Sequence, residues 1–128
     1  MAVFNKVAII GAGLIGGSIG LGLKQRKIAR EVVGVSKHKK SIALALKTKA
    51  IDKGSLSLSV IKGAELLIVA TPVDTIIALK HKILKYIDKD CIITDVGSTK
   101  EEIVSAMEKA FPNYIGSNPL AGSEKRGV

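Results

Sequence analysis

Short apolar runs alternate with amphipathic stretches along nearly the whole chain, a pattern that predicts βαβ units. Val7–Ile10 is the first run and ends at a cluster of glycines. A helical segment from about Leu14 to Lys27 follows, and Val32–Val35 forms the second run. Ser41–Lys49 predicts a short helix carrying Ile42, Leu46 and several alanines. A loop with Asp52, Gly54 and three serines then leads to the run Glu65–Ala70. Thr71 is placed to cap the next helix, with Pro72 at its first position and Asp74 completing the cap. Val73, Ile76, Ile77, Ile83, Leu84 and Ile87 put one apolar stripe on that helix. Cys91–Thr94 predicts another buried strand. Ser98 and Glu101 form a capping box opening a helix with Ile103, Val104 and Met107 inward, stopped near Pro112. Tyr114 and Ile115 begin a last short strand. The sum is an α/β fold: five or six parallel strands with crossover helices, an open doubly wound sheet in a single domain over residues 1–128.

Composition sharpens this picture. Hydrophobic residues make up 47% of the chain but aromatics only 3%, with no Trp, so the core is aliphatic and β-branched. Such a core suits strands buried on both faces. The lone cysteine, Cys91, excludes a disulfide framework and a CxxC pair, and reads as a small buried hydrophobe at a strand start. No secretory pattern is seen, and no apolar stretch reaches the ~20 residues a membrane span needs. A soluble, cytoplasmic protein is expected. The net charge of +9 comes from lysines scattered over helix faces, with almost no aromatics for base stacking. It reads as a solvated basic surface and not a nucleic-acid site.

Chemistry enters at the glycines. Gly11, Gly13 and Gly16 form GxGxxG directly after an apolar strand and at the opening of a helix, the context that gives this motif its meaning. Gly11 permits the tight turn, Gly13 admits a pyrophosphate to the backbone, and Gly16 lets the helix pack on the sheet. The helix start, with Leu14 and Ile15, supplies free N–H groups and positive dipole for phosphate. Gly17, Gly20 and Gly22 extend the small face at a cost of about 1 kcal/mol each. The fold is therefore expected to be a Rossmann-type dinucleotide-binding domain. At the end of the second run, where NAD sites place a carboxylate for the ribose 2′-OH, stand Ser36 and Lys37, then His38, Lys39 and Lys40. A hydroxyl and ammonium groups attract a 2′-phosphate, so NADP is favoured over NAD. The plainer alternative is that the lysines only solvate the next helix and Ser36 accepts either cofactor. His38 and His81 read as surface histidines. Thr71 and Pro72 end the 65–70 run, where such a sheet brings backbone close to the nicotinamide ribose. Ser98 lies on the same carboxyl edge, and its O–H can still reach a ligand while it caps a helix. Asp95 reads as a loop-shaping carboxylate.

Four segments together resemble one family. "GAGLIGGSIG", "ATPVD", "TDVGSTK" and "NPLAGSEKRG" occur in the order and spacing of prephenate and arogenate dehydrogenases. The resemblance implies a nucleotide-binding domain followed by a helical domain that dimerises. It also implies hydride transfer from a cyclohexadienol, prephenate or arogenate, to a nicotinamide cofactor while the ring loses CO₂. Ser98 matches the family serine beside cofactor and substrate hydroxyl, and Ser36 with Lys37 matches NADP-using members. One position departs: the family reads GxHP, whereas Asn118 precedes Pro119 here. The family histidine accepts a proton from the substrate hydroxyl; Asn118 can orient that hydroxyl but not accept its proton. Loss of a general base lowers rate by roughly 10²- to 10⁴-fold, so weak or absent turnover is expected of the chain alone. With Val128 as the last residue, the helical domain is expected to be missing, leaving Ser123 and Glu124 facing no partner and an apolar face open to self-association. Two other readings stay open: a non-catalytic dinucleotide-binding or sensor module, and the first half of another β-hydroxyacid or imine reductase.

Overall fold

The structure, a computed structural model, describes residues 3–11, 14–96 and 101–116. Its aliphatic runs become parallel strands: β1 (Phe4–Ile10), β2 (Ala29–Val35), β3 (Lys53–Ser55), β4 (Leu66–Val69) and β5 (Ile92–Asp95). They lie in the order β3-β2-β1-β4-β5, with the crossover at β1 that defines a doubly wound sheet. Helices α1 (Leu14–Gln25), α2 (Lys39–Lys47), α3 (Val73–Ala78), α4 (Lys80–Tyr86) and α5 (Glu101–Ala110) connect them, with a 3₁₀ turn at Leu58–Ile61.

The unbroken apolar runs are explained by burial on both sides. Val7, Ile9, Val32 and Ile68 pack with Ala45 and Ile51, against α1 and α2. The alternate residues Ala8, Ile10, Val33, Leu67, Val69 and Ile93 face the opposite layer, where Ile76, Ile83, Met107 and Phe111 are buried. A strand walled by helices on both faces cannot show polar alternation. Phe111 is fully buried, so the scarce aromatics are still spent in the core.

Two clamps fix α1 on the sheet. Gly20 meets the backbone of Ala50 so closely that an added Cβ would strike the Ala50 carbonyl oxygen. Gly17 and Gly22, by contrast, face open space, so only one glycine of the small face is needed for close approach within the described part. Asp52 supplies the second clamp. Its carboxylate accepts from the Val32 N–H at 2.8 Å and from Lys24 Nζ at 2.9 Å, joining α1, β2 and the entry to β3. Lys24 Nζ also donates to the Arg30 carbonyl at 3.1 Å.

The structure departs from the sequence pattern in several places. Lys53–Ser55, expected in a loop, is the edge strand β3, paired in register with Val33–Val35. Its three residues carry no apolar run because it lies at the edge and is held by backbone hydrogen bonds. The expected single helix through residue 87 divides at Leu79, whose N–H is shared between the Thr75 and Ile76 carbonyls, both at 3.1 Å. Thr71 does not cap: Pro72 occupies the N-cap of α3, and its carbonyl accepts from the N–H groups of Thr75 and Ile76. A proline at that position has no side-chain acceptor, so the turn closes on backbone alone. The expected last strand is reduced to one parallel bridge, from Ile93 of β5 to Tyr114. Of the capping box, Ser98 lies outside the described residues. No helix of the described residues is long and apolar enough to cross a membrane.

Cys91 is buried at the start of β5, and burial together with the nearby Asp88 carboxylate pushes its thiol from 9.0 up to about 11. The folded state thus favours the neutral thiol, and its contribution is lost as pH rises from about 9 towards 11. Native protein is expected to resist iodoacetamide at pH 8 and to react fully in urea. Equilibrium unfolding should show stability falling above pH 9 less steeply in Cys91→Ala than in the wild type. The two helix glycines separate in the same assay. Gly20→Ala is expected to destabilise by roughly 1–3 kcal/mol through overpacking. Gly22→Ala should stabilise by about 0.5–1 kcal/mol through helix propensity.

Candidate functional site

The strand register builds the site. Ile10 pairs with Val35 on one side and with Val69 on the other, and Val35 pairs in turn with Ser55. All four strands therefore end at one level, and the residues that follow them, Ala70, Gly11, Ser36 and Leu56, stand in a row along the carboxyl edge. Above this row opens a cleft of about 350 Å³, lined by Gly11, Ser36, Lys37, Thr71 and Pro72 among others. The described residues lining it include no acidic side chain.

Gly11 is required here by two constraints. Its φ is +90°, and a Cβ would lie 2.5 Å from Thr71 Cγ2 and 3.2 Å from the Ala70 carbonyl group. Its N–H donates to the Val35 carbonyl at 2.6 Å, closing the turn against β2. The chain then re-enters as α1, whose first turn contains Leu14, Ile15 and Gly16 and no acidic residue. The first N–H groups of any helix lack intrahelical acceptors and carry its positive dipole. Gly13 lies outside the described residues.

Ser36 is buried beside Gly11. Its N–H donates to the Ser55 carbonyl at 3.2 Å, and its Oγ accepts from the His38 N–H at 3.1 Å. This local turn fixes the hydroxyl oxygen and leaves its proton to donate. Lys37 is exposed on the cleft wall. His38 is the N-cap residue of α2, with no side-chain capping bond, and is exposed as expected. His81, on α4, is exposed too.

Thr71 is the informative polar group on the opposite wall. Its Oγ1 is buried and has no hydrogen-bond partner among the described residues. Leaving a buried hydroxyl unpaired costs about 1–3 kcal/mol, so this oxygen is an unmet demand at the cleft. Its methyl, meanwhile, packs on Gly11. Asp95, at the end of β5, accepts a hydrogen bond from the Tyr114 hydroxyl, a tie between neighbouring strand ends that accords with a loop-shaping carboxylate. The fold thus brings Gly11, Ser36, Lys37, Thr71 and Pro72 into one cleft. Ser98 and Asn118 lie outside the described residues. Sequence reasoning missed Leu56, Thr75 and Leu79, which line the same cleft. The one signal for Leu56 was a leucine standing among serines in a polar loop.

Residues 19–128 match the family described as prephenate dehydrogenase, nucleotide-binding domain. The chain is 36% identical to a prephenate dehydrogenase of Bacillus subtilis over 97% of its own length and 35% of that protein's. It is 38% identical to a prephenate dehydrogenase of Lactococcus lactis over 97% of its length and 36% of the relative's. The chain therefore spans about a third of the length of these curated relatives. Among solved structures, Synechocystis arogenate dehydrogenase superposes with a TM-score of 0.78 at 27% identity, covering 87% of this chain and 39% of that one. A prephenate dehydrogenase from A. aeolicus, in complex with hydroxyphenyl propionate and NAD+, gives 0.80 at 25% identity, covering 88% and 40%. With its parallel Rossmann-like sheet, its glycine turn and a match over most of its length, the chain belongs to the prephenate dehydrogenase family of oxidoreductases, as that family's nucleotide-binding domain.

Proposed function

We propose that residues 1–128 form the dinucleotide-binding domain of a prephenate or arogenate dehydrogenase that prefers NADP to NAD. The observation that carries the reading is the row along the sheet's carboxyl edge: an orphaned Thr71 hydroxyl, a Gly11 turn with no room for a Cβ, and a Ser36 hydroxyl flanked by Lys37. These residues fit a dinucleotide. The first turn of α1, which follows the Gly11 turn, offers backbone N–H groups to a pyrophosphate. Thr71 Oγ1, with Pro72 beside it, offers a hydrogen bond at the end where the nicotinamide ribose lies in sheets of this kind. Ser36 and Lys37 offer a donor and a positive charge to a 2′-phosphate, and among the described residues no carboxylate lines the cleft to repel it.

When bound, the nicotinamide ring accepts the hydride that the substrate gives up as it loses CO₂. The chain's own residues bind and orient. Ser98 is assigned to hydrogen-bond near the cofactor and the substrate hydroxyl, and Asn118 to orient that hydroxyl. Asn118 takes no proton, so the oxidation proceeds without the general base that the family's histidine supplies. The helical domain of the family is assigned the far wall of the substrate site and the dimer contact. The protein is proposed to act on this small molecule in the cytoplasm. A purely dinucleotide-binding, non-catalytic role is the second reading, favoured by Asn118 itself.

Calorimetry tests the cofactor assignment: NADP+ is expected to bind at least tenfold more tightly than NAD+, the scale of one charge-assisted hydrogen bond. Lys37→Ala should narrow that gap several-fold while leaving NAD+ affinity unchanged; equal affinities in the wild type refute the preference. With the helical domain present, Asn118→His is expected to raise kcat for prephenate or arogenate oxidation by about 10²-fold or more. Tight cofactor binding without turnover in both proteins selects the non-catalytic reading.

A further inference from the structure

At the carboxyl edge, β5 ends a row of buried apolar residues with an acid. The register places Val35, Ile10, Val69 and Asp95 side by side, and the first three are buried in the same core layer. Asp95 is only partly buried, but a carboxylate beside such a layer is costly unless it is hydrogen-bonded. Packing alone would be served by another valine, so the acid needs a different reason. Neither Asp95 nor its partner Tyr114 lines the cofactor cleft, and the cofactor reading gives them no role.

The partner comes from the segment after α5. The Asn113 carbonyl accepts from the Ile93 N–H at 3.2 Å, and the Ile115 N–H donates to the Ile93 carbonyl at 2.8 Å. The segment thus runs parallel to β5 with Tyr114 opposite Ile93. Residues two apart on a strand share a face and lie about 6.6 Å apart, a span that a phenol can bridge. The Tyr114 ring is buried with Ile93 and Phe111 in the core, and its hydroxyl donates to Asp95 Oδ1. Among the described residues, no backbone hydrogen bond joins the two segments beyond Ile93, so the side-chain bond ties them at the level of the edge.

Both segments lead on to residues assigned to the substrate. Ser98 comes three residues after Asp95 and Asn118 four after Tyr114, both outside the described residues. Chain length alone keeps Ser98 within about 11 Å of Asp95 and Asn118 within about 14 Å of Tyr114. We propose that the Tyr114–Asp95 hydrogen bond is the latch that sets the spacing of these two substrate-facing segments, a proposal that rests on the substrate reading above. Tyr114 and Asp95 are then positioning residues: they act through Ser98 and Asn118 on the substrate hydroxyl, and not on the cofactor.

A double-mutant cycle tests this with the helical domain present, using Tyr114→Phe, Asp95→Val and the two combined. Prephenate or arogenate is titrated into the complex with NADPH, where hydride transfer is blocked because the cofactor is already reduced. Each single variant is expected to bind substrate roughly tenfold more weakly, the scale of one hydrogen bond to a charged group, with NADP+ affinity unchanged. The combined variant separates positioning from stability. Replacing both partners by apolar groups should return the melting temperature close to the wild-type value. Substrate affinity should nevertheless stay as low as in either single variant. Recovery of substrate affinity together with stability makes the bond merely structural and overturns the latch, as does unchanged substrate affinity in Tyr114→Phe. A parallel loss of NADP+ affinity overturns it too. A wild type whose NADPH complex takes neither substrate refutes the substrate reading itself, and the latch falls with it.

Discussion

The parallel ladder that seats Ile10 between Val35 and Val69 is the constraint on which the rest depends. Gly11, Ser36 and Thr71 each lie within two residues of a strand end, so their positions are inherited from the register of those strands. A shift of one residue would carry a core side chain out of its layer, since successive side chains point to opposite faces. Here both faces are buried under helices, and no shifted register offers the apolar residues an exposed side to escape to. The same burial that stabilises the sheet therefore holds the ends of four strands at one level. The cleft is a by-product of that level edge and of the reversal of connection at β1, where the chain leaves the sheet in opposite directions.

Around this frame, short-range contacts set the shape of the cleft wall. Gly11 and Thr71 are a matched pair: the missing Cβ of one makes room for the methyl of the other. That packing leaves the Thr71 hydroxyl buried and unpaired. The domain thus tolerates a local cost at the place where a ligand can relieve it, a pattern typical of binding sites. On the far side, Asp52 and Gly20 hold α1 against β2 and the segment after α2.

Much of this was legible in the chain itself. The runs at Val7–Ile10, Val32–Val35 and residues 65–70 are apolar enough to be strands whatever their neighbours, and GxGxxG after the first has few other uses. Ser36, Lys37, Thr71 and Pro72 were placed at the edge by their position after those runs, and the structure gathers them in one cleft. Lys53–Ser55 was not legible because an edge strand of three residues gets its pairing from the backbone of β2 and needs no apolar signature. The break at Leu79 was hidden because the apolar stripe continues across it, and periodicity reports which face is buried, not whether the axis is continuous. Thr71 misled in an instructive way: its residue type suits a cap, but its side chain is turned into the cleft wall against Gly11.

The sequence by itself determined the fold class, the glycine turn and the kinship, because these rest on local patterns: apolar runs, a motif with its flanking context, and segments in a given order. That Asn118 precedes Pro119 is likewise a matter of residue identity alone. Only the tertiary structure decided which residues share a wall. The orphaned Thr71 hydroxyl, the alignment of Leu56 with Ser36 and Gly11, and the approach of Leu79 depend on contacts between segments distant in the chain. Such contacts are set by register and helix docking, which follow from burying both faces of the sheet at once and leave no local trace in the residues that make them.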